Sequence, residues 1–141
     1  MAVRVKLRLK GEGKEAVVST LINSGFEAKE PQLIIPLKLA ENLELTSANA
    51  SIEDFSSAGG SRVSGYRVED PVEVELVLNG EPSVKTFAFI TILPGETEAI
   101  MSDRLASDLG IIILDLWRGH WCLKNELGVK QRSSASPQEW R

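Results

Sequence analysis

From Val3 to Lys10 the chain alternates apolar and basic residues: Val3, Val5, Leu7 and Leu9 against Arg4, Lys6, Arg8 and Lys10. Period two describes a half-buried strand with a basic outer face. Gly11-Glu12-Gly13-Lys14 reads as a hairpin turn, and Ala16 to Ile22 as a second apolar, β-branched strand that runs into Asn23-Ser24-Gly25. Leu33-Ile34-Ile35 is a short apolar stretch between Pro31 and Pro36. Pro36 opens a predicted helix over Leu37 to Leu43, with Leu37 and Ala40 inward, together with Leu39 or Leu43.

Strand-like patterns follow over Ala48 to Phe55 and Arg62 to Val68, separated by the small, polar run Ser56 to Ser61. Val72, Val74, Leu76 and Leu78 alternate with Glu73, Glu75 and Val77, with Glu73 and Glu75 as a solvated strand face. A turn at Asn79-Gly80-Glu81-Pro82 leads into a strand from Val84 to Leu93, and Pro94-Gly95-Glu96-Thr97 turns again. Ser102 to Leu109 is a predicted late helix: Ser102 suits the N-cap, Asp103 the first turn and Gly110 the stop. Ile111 to Leu114 reads as a fully buried strand, and Leu116 to Leu123 as a last hairpin turning at Arg118-Gly119. Many short strands with frequent turn signals describe an all-β barrel or sandwich. The pattern defines one domain over residues 1–124 and a polar, aperiodic tail over 125–141, expected to be mobile.

Composition narrows the function classes. The chain has 141 residues, 43% of them hydrophobic and 26% charged, enough for one domain with its own core. A net charge of −4 argues against a nucleic-acid or anionic-membrane partner, which wants a basic surface. No apolar run reaches the roughly 20 residues of a membrane span, and the N-terminus lacks the apolar stretch of a signal peptide. With Cys122 as the only cysteine no intrachain disulfide is available, and the expectation is a reduced, cytoplasmic protein. Cys122 between Trp121 and Leu123 reads as a buried thiol; a Cys-His pair with His120, the only histidine, is the rival reading. One histidine and one cysteine speak against a zinc site, and no metal or other cofactor is expected.

Two segments matter together. Thr20-Leu21-Ile22-Asn23-Ser24-Gly25-Phe26 ends a strand, and Ile100-Met101-Ser102-Asp103-Arg104-Leu105 leads through Leu109-Gly110-Ile111 into the late apolar run. This arrangement resembles the retropepsin-like aspartic proteases, in which a hydrophobic strand runs into Asp-Thr/Ser-Gly. A later apolar pair, usually followed by glycine, then opens a helix that ends in Leu-Gly. Here Ile100-Met101 match the apolar pair, Ser102 takes the usual glycine position, and Leu105, Leu109 and Gly110 match the helix and its stop. The resemblance covers Val3 to Leu123. It implies a small closed acid-protease barrel with one short C-terminal helix, and a two-fold homodimer in which each chain supplies one catalytic loop to an endopeptidase site for peptides or proteins. Two carboxylates about 3 Å apart share one proton in such a site, one serving as base and the other as acid.

Asn23 stands where the resemblance asks for the catalytic aspartate, with Ser24 and Gly25 completing the motif. An amide cannot take a proton from water near neutral pH, so the implied activity is absent from the chain as written. Either the acid was replaced to hold an inactive form, or the chain is a natural non-catalytic relative that binds peptide or dimerises; as an ordinary turn residue, Asn23 would make the resemblance false. The resemblance also implies substrate contacts from Phe26 and Glu27 and from a glycine-rich flap over Ser57 to Gly65, including Ala58, Gly59, Gly60 and Ser61. Glu27 is expected to pair with Arg104, and Trp117 and Trp121 to serve core or dimer packing.

Overall fold

The computed structural model describes residues 2–47, 50–56 and 62–141. In chain order the elements are β1 (Arg4–Lys10), β2 (Glu15–Ile22), β3 (Gln32–Ile35), α1 (Leu37–Asn42), β4 (Ala50–Ser56), β5 (Arg62–Val68), β6 (Val72–Leu76), β7 (Val84–Ile92), β8 (Ala99–Met101), α2 (Asp103–Asp108), β9 (Ile111–Asp115), β10 (His120–Leu123) and β11 (Arg132–Ser133). Single 3₁₀ turns occur at Leu45–Ser47 and Lys124–Glu126.

Alternation in β1 does what period two requires. Val3, Val5, Leu7 and Leu9 are buried, while the basic residues point outward. β1 pairs antiparallel with β2 on one side and β6 on the other, and β6 pairs with β7. β7 then lies parallel to β3, β3 antiparallel to β8, and β8 parallel to β2. That circuit closes a six-stranded barrel in the order β3-β8-β2-β1-β6-β7. Closure leaves the ring without free edges and seals a core that includes Leu7, Leu9, Leu33, Ile35, Leu76, Ile90 and Met101. The β4–β5 hairpin extends from β7 through Tyr66↔Ile92 and Arg67↔Thr91. The all-β barrel is therefore as expected, and both helices read from the pattern are present as α1 and α2.

Four readings of the sequence change. Leu37 points outward at 39% exposure, because Pro36 starts α1 so that Leu39 and Ala40 face the core, with Leu43 after them. Ile111 to Leu114 is not fully buried: β9 belongs to a separate three-stranded sheet, β11-β10-β9, and only one of its faces meets the barrel. Leu114 is consequently 42% exposed. The last hairpin joins β9 to β10 through Leu116–Gly119, so its first strand begins before Leu116. Glu75 is buried rather than solvated, because Arg8, the Ser83 hydroxyl and Lys85 close over its carboxylate. The Ser83 hydrogen bond, followed by that of Arg8, holds Glu75 below the usual carboxylate range against the opposing effect of burial.

The segment after Lys124 has no period because its contacts are spaced backbone bonds rather than an apolar face. β11 pairs with β10 at His120↔Ser133 and Trp121↔Arg132. Ser134 N–H donates to Gly119 O at 2.7 Å and Ala135 N–H to Arg4 O at 2.8 Å. The side-chain carbonyl of Gln138 accepts from Ser19 N–H at 2.9 Å, and Trp140 N–H donates to Thr97 O at 2.7 Å. Trp140 packs against the core at the far end of this strap.

Candidate functional site

β2 carries its ladder one rung past its last residue. Leu21 and Ile22 sit opposite Ile100 and Met101, and Asn23 N–H donates to Met101 O at 3.3 Å. The chain then turns sharply. Phe26 N–H donates to Asn23 O at 3.0 Å, and the Asn23 side-chain carbonyl accepts from Gly25 N–H at 2.9 Å. Asparagine is suited to this position because its short carbonyl bonds the backbone two residues on. A Cβ on Gly25 would come within 3.2 Å of the same oxygen, so glycine gives the side chain its room. Asn23, Ser24 and Gly25 are exposed, Phe26 is half-buried and Glu27 is exposed.

The rest of the loop is fastened to the start of α2. Asp103 N–H donates to Phe26 O at 3.0 Å, and the Asp103 carboxylate accepts from Ala28 N–H at 3.0 Å. Ser102 is wholly buried, and its hydroxyl oxygen caps α2 by accepting from Leu105 N–H at 3.1 Å. The same oxygen accepts from Gln32 N–H at 3.1 Å, and Ser102 N–H returns a bond to Gln32 O at 3.0 Å. Arg104 does not pair with Glu27. Its guanidinium bonds Asp108 at 3.0 Å and Lys29 O at 2.8 Å, because Glu27 faces solvent while the Lys29 carbonyl turns toward the helix. Gly110 ends the helix region at a φ of 76°.

Sequence reasoning located Asn23, Ser24, Gly25, Phe26 and Glu27 on one turn, and they are together. It assigned Ser102 as the helix cap and as the residue at the usual glycine position of the late motif, and Asp103 as a first-turn residue. Their second role, binding the backbone of the 26–32 loop, was missed; the visible signal was two spare acceptors at a helix start beside an apolar strand. Ala58, Gly59, Gly60 and Ser61 lie between β4 and β5, outside the described residues. Trp121 is buried and its indole N–H donates to Ser133 O at 3.2 Å, whereas Trp117 is 70% exposed beneath the Arg118 guanidinium. Cys122 is wholly buried in β10. Among the described residues, no group of three or more His, Cys, Asp or Glu could hold a metal ion, and no helix is long and apolar enough to cross a membrane. No family model matches the chain, and no curated protein matches it.

The turn can present one short polar side chain, rigidly, from the end of a barrel strand. With an amide there, it can donate and accept hydrogen bonds but cannot exchange a proton with water near neutral pH.

Proposed function

We propose that this chain is one subunit of a homodimeric, retropepsin-like aspartic endopeptidase scaffold, catalytically silent because Asn23 occupies the position of the catalytic acid. The observation that supports this reading is the Asn23 turn itself. An exposed, small-residue loop ends a closed-barrel strand, and hydrogen bonds to Met101 and Asp103 tie it to a second chain segment. Such bracing is what a catalytic carboxylate would need, since it must be held in place before the substrate arrives.

One turn per chain supplies half a site, so a second copy completes it across a two-fold axis. The exposed apolar residues Leu114, Leu116 and Trp117 are consistent with association. As written, the dimer would bind an extended peptide without cleaving it.

The test is Asn23→Asp. The variant is expected to cleave members of a diverse peptide library at acid pH, with a bell-shaped pH profile from the coupled pair of carboxylates. The gain over the intact Asn23 chain should reach at least about 10²–10⁴-fold, the usual contribution of general acid–base catalysis. A folded, dimeric Asn23→Asp protein that cleaves nothing between acid and neutral pH overturns the reading.

A further inference from the structure

The Asn23 turn holds an amide in a setting suited to its own hydrolysis. Its carbonyl is pinned and polarised by Gly25 N–H at 2.9 Å. Ser24, the residue whose backbone nitrogen would attack, is small and exposed, and its N–H has no hydrogen-bond partner among the described residues. Asn23 itself is exposed, which leaves the amide nitrogen a path into water. Two of the other described asparagines differ. Asn42 closes α1 and Asn125 lies in a 3₁₀ turn, where regular backbone bonding restrains the following residue.

We propose that Asn23 is a self-modification site whose deamidation supplies the missing acid, so that the chain is a precursor converted by time and pH. This inference rests on the proposed peptidase reading and adds a route to activity. Ser24 N loses its proton to solvent base and bonds to the Asn23 side-chain carbon. The bond from that carbon to Nδ2 breaks, and the nitrogen leaves as ammonia with a proton from water. Water then opens the cyclic imide. Cleavage between the former side-chain carbon and Ser24 N gives aspartate with the backbone restored; cleavage on the other side gives isoaspartate, which lengthens the backbone and spoils the turn. No oxidant or other reactant is needed. The product carboxylate would inherit the Gly25 N–H bond, a donor that favours the charged form.

The experiment incubates the intact, full-length chain at mildly alkaline pH and follows each asparagine by peptide mapping, with and without denaturant. Asn79, which precedes Gly80, serves as the exposed-turn reference. The expected result is acid accumulating at Asn23 in the folded chain at a rate at least equal to that of the denatured chain, while Asn42 and Asn125 slow on folding. Peptidase activity at acid pH should rise in proportion to aspartate at position 23, and isoaspartate should contribute none. A rate at Asn23 that falls on folding, or a product that is isoaspartate alone, overturns the proposal. Asn23→Asp is assayed in parallel. If that variant is folded, dimeric and inactive, the peptidase reading and the activation built on it both fall, whereas the mapping still reports separately whether the turn promotes deamidation.

Discussion

At the scale of single residues, the molecule places small polar groups where several backbone N–H groups converge. Ser102 is the clearest case, since one buried oxygen satisfies both the helix α2 and the strand β3. Ser102→Ala leaves two N–H groups without that acceptor and should cost about 2–4 kcal/mol, read from the denaturant midpoint at constant slope. Ser102→Thr, which keeps the oxygen, should recover most of the loss. Glu126 works in the same way at the other end of the chain. Its carboxylate accepts from Arg132 at 2.6 and 2.9 Å and from Leu123 N–H at 3.0 Å. These bonds, that of Arg132 foremost, lower it from 4.5 to about 2. A depressed carboxylate stabilises the fold fully above its unfolded value, and the contribution fades as pH falls toward the folded value. Stability should therefore drop between about pH 4.5 and 2. Glu126→Gln should be less stable at neutral pH and show a shallower fall across that interval, as measured by thermal or denaturant midpoints. An acid-pH peptidase assay would sit mostly above the window in which this clasp fails.

Among the elements, strands with one wet face announce themselves. β1 and β6 bury their apolar sets as the alternation requires, and α2 starts at Ser102 and stops near Gly110 as its caps demand. Elements held by other means were harder to read. The burial of Glu75 depends on Arg8 arriving from β1 and Ser83 from the turn before β7, neither adjacent in sequence. The apolar string Ile111 to Leu114 could not reveal that it belongs to a second sheet, because a run of that kind suits either a buried strand or a surface awaiting cover. The strap from Ser133 to Trp140 carries no period at all. Its one large apolar anchor is Trp140, so Trp140→Ala should cost roughly 2–4 kcal/mol. Hydrogen exchange supplies the local check: Ser19 N–H and Ala135 N–H should lose protection in that variant while the β1–β6 ladder keeps its own. For the candidate site, the motif Asn23-Ser24-Gly25 was legible in sequence; its dependence on Met101 and Asp103 required the third dimension.

On the scale of the whole molecule, the proposed dimer makes a prediction of its own. Sedimentation of the intact chain should show a concentration-dependent dimer, and Trp117→Ser should shift the balance toward monomer without unfolding the barrel, since this side chain is mostly exposed in the single subunit. A chain that stays monomeric at high concentration would refute the two-fold arrangement. The route by which β8 enters the ring has a further consequence, for synthesis. β8 inserts between β2 and β3, and β3 meets β7 in parallel, so strands from the first quarter of the chain wait for partners made much later. Pairings this distant in sequence delay the transition state, because a long loop must be closed before any contact rewards it. During translation the β1–β2 hairpin can form early, but the Asn23 turn cannot acquire its Met101 and Asp103 bonds until those residues have left the ribosome. A nascent chain arrested before residue 99 should therefore expose the turn to proteases, whereas one released past residue 110 should protect it.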